Sequence, residues 1–134
     1  MLKTIIDTNL WISFLIGKKL KGLEKLLDTD KFQLITSEEQ ISEFLEVINK
    51  PKLQKYFSRS QAIEFLKLIE DKSFITDHKG DIIICRDIKD NFLLNMAVNS
   101  KADYLLTGDS DLLIIGKIEK TQIINFVEFE KKYM

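Results

Sequence analysis

Cysteine, histidine, proline and glycine are all scarce in this chain of 134 residues, which holds one Cys, one His, one Pro and five Gly. The single Cys85 excludes an intramolecular disulfide framework and a cysteine zinc site, and it suits a reducing cytoplasmic compartment. The single His78 excludes a multi-histidine metal site, and no nucleophile-elbow sequence is present to recruit it into a hydrolytic triad. Net charge is nearly absent as well: 20 Lys+Arg against 21 Asp+Glu leave −1. A protein that grips nucleic acid by bulk electrostatics is therefore excluded, and any such contact must be local. Long apolar runs are missing too. The longest, Leu10 to Ile16, is interrupted by Ser13 and is too short to cross a bilayer. It lacks the basic lead-in and small-residue cleavage site of a signal peptide, so the expectation is a cytoplasmic protein with no membrane segment.

What is present suits one packed domain over residues 1–134, with 45% hydrophobic and 31% charged residues and no repeat or low-complexity tract. At this length folding removes roughly two thirds of the unfolded chain's surface from water, so no staple is required on size grounds. Short apolar runs alternate with stretches of helical period, which predicts an α/β fold with a mostly parallel sheet. Leu2–Ile6, Phe32–Thr36, Tyr104–Thr107 and Gln122–Phe126 read as strands, with Phe74–Thr76 or Ile82–Ile84 as a further one. Ile41, Phe44, Leu45 and Ile48 form one helical stripe, and Ile63, Phe65, Leu66 and Ile69 another. Ser37 with Gln40 suggests a capping box, Pro51 a stop, and Asn91 to Ser100 a further helix.

The informative residues are acids placed at the ends of these elements. Asp7 directly follows the first strand and Asp109 follows Tyr104–Thr107 after one Gly. In open parallel sheets the functional crevice lies at the carboxyl ends of strands, and the first and fourth strands are commonly neighbours there. Glu43 lies early in the helix after the second strand, at the border of its apolar face. Asp90 continues the buried stripe of Leu93, Leu94 and Ala97 to its start, so it faces inward. Asp87 and Asp111 are placed to join as outer members. Taken singly, each acid has an ordinary explanation as a helix cap, a dipole partner or surface decoration. Taken together they repel: two carboxylates about 4 Å apart at an effective dielectric near 20 cost roughly 4 kcal/mol, a large part of a domain's stability. Four need a cation. All-oxygen ligands without His or Cys select a hard ion, Mg²⁺ or Mn²⁺, and no calcium-loop pattern is present. Such sites orient a phosphate and serve phosphodiester hydrolysis.

These motifs resemble those of the PIN-domain family, in particular the small VapC-like members that form the toxin half of bacterial toxin–antitoxin pairs. Ile5-Ile6-Asp7-Thr8-Asn9 resembles the first acidic motif, with Thr8 and Asn9 steadying the site. Ser37 to Val47 resembles the second, with Glu43 in the acidic position. Cys85 to Ala97 matches the third, with Asp90 as ligand and Asp87 as accessory. Thr107-Gly108-Asp109-Ser110-Asp111-Leu112 resembles the fourth, with Asp109 primary and Asp111 secondary. Ile88, Ser42 and Leu112 depart from the family's usual residues without removing a ligand. The resemblance implies a three-layer α/β/α sandwich and Mg²⁺- or Mn²⁺-dependent cleavage of single-stranded RNA. Water attacks phosphorus in line and the 3′ oxygen leaves. A cognate antitoxin and a homodimer are the implied partners.

Substrate contact is then expected from two basic stretches, Lys18–Lys25 and Lys50–Arg59, above all through Lys18 and Lys19 in one and Lys52, Lys55 and Arg59 in the other. Lysine clusters of this kind also occur simply as solvated helix faces. Trp11 is read as core rather than as a stacking platform, and His78 as a loop residue outside the chemistry. An aspartyl-phosphate phosphatase would need an acid two places after Asp7, where Asn9 stands. A receiver domain would need its phosphoacceptor after a middle strand. The alternative that survives is a catalytically silent PIN-like module that binds RNA or protein.

Overall fold

The computed structural model describes residues 1–17, 20–77, 79–87 and 90–133. Lys18, Lys19, His78 and Ile88 lie outside the described residues. In chain order the elements are β1 (Leu2–Ile6), α1 (Thr8–Ile16), α2 (Leu20–Asp28), β2 (Phe32–Thr36), α3 (Glu38–Ile48), a 3₁₀ turn (Pro51–Leu53), α4 (Arg59–Lys72) and β3 (Ser73–Ile75). They continue with α5 (Asn91–Ser100), β4 (Tyr104–Leu106), α6 (Ser110–Leu113), β5 (Lys117–Ile118), β6 (Thr121–Ile124) and α7 (Phe126–Tyr133). The sheet has six strands in the order β3-β2-β1-β4-β6-β5, all parallel except β5, which runs antiparallel to β6. None of the described helices is long and apolar enough to cross a membrane.

The period-two alternation of the strands sorts their side chains into two cores. Ile6, Phe32, Leu34, Tyr104 and Leu106 face one side, where Trp11, Phe44, Phe65 and Phe129 bring in α1, α3, α4 and α7. Ile5, Ile35, Leu105 and Ile123 face the other, covered by Leu93, Leu94, Met96 and Ala97 of α5 and Leu112 of α6. Helices thus cover both faces, giving the expected three layers. The first core is rich in rings: Trp11 meets Phe44 edge-on at 5.6 Å, and Phe44 meets Phe65 at 5.5 Å. Each fully buried side chain of this size contributes about 1.5–3 kcal/mol relative to exposure, so this face dominates the stability. Trp11 is fully buried, as a core residue should be.

Both helical stripes differ from the expected ones. In α3 the buried positions are Gln40, Phe44 and Ile48, while Leu45 is 40% exposed. In α4 they are Ala62, Phe65 and Ile69, while Ile63 is 42% exposed. Gln40 goes inside because its amide is satisfied there: its Nε2 donates to the Ile6 carbonyl, and its Oε1 accepts from the Thr36 hydroxyl at 2.7 Å. Ser37 caps α3 by accepting from the Gln40 backbone at 3.1 Å, but the Gln40 side chain does not return the bond. The reciprocal capping box belongs instead to Ser58 and Gln61 at the start of α4. Of the two candidates for a further strand, residues 73–75 pair with β2, and Ile82–Ile84 does not join the sheet.

Candidate functional site

Register brings the first two acids together. β1 and β4 are neighbours, with Ile6 opposite Leu106, and the Asp7 amide donates to the Leu106 carbonyl at 2.9 Å. Asp7 is 2% exposed and does two things at once. Its Oδ1 caps α1 by accepting from the Asn9 backbone at 3.1 Å, while its Oδ2 accepts from the Thr107 hydroxyl at 2.7 Å. The Thr107 oxygen in turn accepts from the Asp109 backbone at 3.0 Å, which ties the two strand ends to each other. Asp109 caps α6 by accepting from the Asp111 backbone at 2.9 Å. The capping reading and the site reading of these acids are therefore both true, because a carboxylate has more acceptor sites than a cap uses.

Glu43 is delivered by α3, whose first turn is fixed over the strand ends by Gln40 and by the Ser37 hydroxyl against the Met96 sulfur at 3.2 Å. Asp90 is delivered by α5 and makes no side-chain cap of its own. Its approach depends on asparagines at every fourth position of α5. Asn91 Oδ1 accepts from the Cys85 backbone at 2.9 Å, and Asn95 Oδ1 accepts from the Ile82 backbone at 3.2 Å. Asn99 Nδ2 donates to the Asp77 and Lys79 carbonyls, both at 2.9 Å. This ladder straps Asp77, Lys79, Ile82 and Cys85 onto the helix that begins beside Asp90. Gly80 lies under the strap, where an added Cβ would fall 2.2 Å from Asn95 Oδ1.

Glu43, Asp87, Asp90 and Asp109 line one open cleft of about 510 Å³, together with Asn9, Glu39, Ser42, Glu46, Val47 and Lys50. Asp7 is not among the lining residues, but it is close enough for its charge to act on both Glu43 and Asp90. Burial pushes the Asp7 carboxyl above the ordinary range, with Thr107 and Asn9 opposing and the Asp109 charge adding to the rise. Burial likewise raises Glu43, partly offset by Thr8. Asp90 is pushed up to about 8, first by burial, then by its hydrogen bond with the Asp109 carboxyl and by the charges of Asp7, Asp109 and Asp87. A hydrogen bond between two carboxyls requires one of them to hold a proton, so a proton stands where a divalent cation would relieve the same repulsion.

The sequence-predicted residues fall into three groups. Asp7, Glu43, Asp90, Asp109 and the accessory Asp87 come together, supported by Thr8, Asn9 and Thr107. Asp111 is not among the cleft-lining residues; its backbone serves Asp109 and its side chain is partly exposed in the first turn of α6. Lys52, Lys55 and Arg59 are exposed around the 3₁₀ turn and the start of α4, outside the cleft lining. Lys50, the first residue of the second basic stretch, does line the cleft, just beyond the end of α3; residues that sequence reasoning missed as cleft-lining are Glu39 and Glu46, which lie with Glu43 along one side of α3, and the asparagine ladder of α5.

The donor set fits a hard cation. It is all oxygen, and the acids are buried or partly buried and mutually opposed. Among the described residues no three acids already stand at metal-ligand spacing.

A family model described as PIN domain matches residues 3–111. The chain is 32% identical over 134 residues to the uncharacterized protein MJ1680 of Methanocaldococcus jannaschii, covering 96% of this chain and 84% of that protein. Among solved structures it is similar to VapBC2 from Rickettsia felis bound to a DNA fragment from their promoter, at a TM-score of 0.59 and 16% identity. That match covers 92% of this chain and 98% of the other. At this identity the likeness concerns the fold.

Proposed function

The chain belongs to the PIN-domain family, and from that premise we propose that it is a metal-dependent endoribonuclease acting on single-stranded RNA, the toxin of a toxin–antitoxin pair. The observation that carries the proposal is the convergence of Glu43, Asp90 and Asp109 around an open cleft at the carboxyl edge of a parallel sheet, with the charge of the buried Asp7 acting on Glu43 and Asp90. A catalytically silent module has no reason to hold opposed carboxylates at this cost. Asp7, Glu43, Asp90 and Asp109 would hold Mg²⁺ or Mn²⁺, which when bound supplies water activation and charge neutralisation at the phosphodiester and its leaving oxygen.

The chain's own part is positioning. Asp7 is held by two hydrogen bonds, one to each oxygen, so its orientation is set before any ligand arrives. Thr107 keeps Asp7 and Asp109 in one frame, and Asn9 lines the cleft while its backbone holds the other Asp7 oxygen. A cation that takes its place among these acids displaces the proton Asp90 holds without it, so affinity for the ion is expected to rise with pH. An antitoxin and a second copy of the chain are the partners that this reading carries. Phe74 and Ile75, exposed on the open edge strand β3, offer apolar surface to such a partner. A cytoplasmic location follows from the same reading.

The test is cleavage of a generic single-stranded RNA by purified protein with Mg²⁺ or Mn²⁺. Asp7→Asn is expected to abolish cleavage while leaving the far-UV circular dichroism intact, since an amide oxygen still caps α1. Full activity in that variant rejects the assigned site. A wild-type protein that cleaves no RNA with either ion rejects the ribonuclease reading in favour of a silent binding module.

A further inference from the structure

The cleft beyond the metal-holding acids poses an electrostatic problem for a polyanionic substrate. Six carboxylates line it, those of Glu39, Glu43, Glu46, Asp87, Asp90 and Asp109, against a single cation among the described residues, Lys50. A divalent ion answers for the inner acids only. Glu46, about one turn beyond Glu43 along α3, raises the Glu43 carboxyl by like charge and leaves the approach negative, which should repel a phosphodiester strand.

Lys50 stands where that repulsion can be offset. Glu39, Glu43, Glu46 and Lys50 follow one another at steps of three or four residues, so they share one side of α3 and its continuation. The helix ends at Ile48, and Asn49 keeps a helical backbone with φ −84° and ψ −5°, which carries the same phase to Lys50. Lys50 is therefore about 10 Å along the axis from Glu43, at the outer end of the cleft. It forms no ion pair among the described residues, neither with Glu46 four positions earlier nor with any other acid. The neighbouring Lys55 is turned elsewhere, with its Nζ 5.2 Å from the Tyr56 ring centre.

We propose that Lys50 is a substrate-positioning residue, which holds a backbone phosphate flanking the scissile one and so sets the strand's register over the acids. The proposal rests on the ribonuclease reading and goes beyond it by choosing one cation from a basic stretch that looks uniform in sequence. The ordinary role for a lysine here is to interact with the negative end of α3. That role would change stability and nothing about substrate.

The experiment is steady-state cleavage of a single-stranded RNA oligonucleotide at saturating Mg²⁺ and several KCl concentrations. The proteins are wild type, Lys50→Gln, Lys50→Arg and the charge-matched control Lys131→Gln. Lys50→Gln is expected to raise KM several-fold with little change in kcat, the pattern of lost uniform binding. The slope of log KM against log salt should fall by about 0.7, the value for one phosphate contact on a single strand. Lys50→Arg should restore both, and Lys131→Gln should alter neither. An unchanged KM and salt slope in Lys50→Gln, with at most a shift in melting temperature, overturns the proposal while leaving the ribonuclease reading standing. Absence of cleavage by the wild type overturns both.

Discussion

Asp103 and Asp109 flank the same short strand, β4, and the fold treats them in opposite ways. At the amino end Asp103 is served from two sides: its Oδ2 accepts from the Lys3 backbone at 2.8 Å, and its Oδ1 pairs with Lys120 at 3.3 Å. The hydroxyls of Tyr104 and Tyr133 close on each other beside it, with Lys132 over both rings. At the carboxyl end Asp109 meets Asp90, another acid, and Asp7 and Glu43 add charge of the same sign. The cations that line this end reduce, among the described residues, to Lys50. Where the chain supplies both partners of a charge it pairs them, and where it leaves charge unmatched the partner is expected to come from outside.

Thr107 is the sharpest place to break this contrast. Its hydroxyl joins Asp7 to the Asp109 backbone, and it is fully buried. Thr107→Val keeps the shape and removes the bridge. RNA cleavage should fall by roughly 10–100-fold, the usual cost of losing a partner that orients a metal ligand. Wild-type kcat/KM in that variant would show that the unmatched acids do not depend on their orientation.

The opposite end should respond in stability and not in activity. Asp103→Ala removes a hydrogen bond from a backbone amide to a charged acceptor and a partly exposed ion pair. It should cost about 1–2 kcal/mol in urea unfolding and leave cleavage unchanged. Lost activity with unaltered stability would mean that the two ends are not separable in this way.

Much of this arrangement was legible before the fold. Strands β1, β2, β4 and β6 announce themselves as apolar runs, and the acids following two of them mark the carboxyl edge, because parallel pairing of β1 with β4 aligns their ends. Other features were hidden by the same reasoning. Leu45 looked like core and Gln40 did not, since an apolar stripe cannot register a buried amide whose donor and acceptor are both met. Ile82–Ile84 looked like a strand, yet Ile83 and Ile84 are exposed and the segment is held by asparagine side chains. The β5 hairpin is too short to produce a pattern. In the site, the asparagines at 91, 95 and 99 read as neutral helix residues, and Lys50 reads the same as Lys52 or Lys55. Only the packing of α3 and α5 against one sheet edge separates them.

The finest probe of the contrast is the proton that Asp90 holds. Its carboxyl sits at about 8 in the folded protein against an ordinary value of 3.8. Between those values the folded state keeps a proton that the unfolded chain releases, so stability declines as pH rises. For this group the metal-free protein should be most stable below about pH 4, lose stability up to about pH 8, and level off beyond. Asp90→Asn has no such proton to retain and no charge to oppose Asp109. Its metal-free melting curves should therefore depend less on pH, and its advantage over wild type should grow across that window. Mg²⁺ or Mn²⁺ should reverse the order, because an ion held only by the folded carboxylates stabilises by mass action and does so more where Asp90 is intact. Differential scanning fluorimetry from about pH 5 to about pH 9, in EDTA and in each ion, reads both effects. Parallel pH profiles for the two proteins, with equal gains from metal, would place Asp90 among the ordinary surface acids and confine the unmatched charge to Asp7 and Asp109.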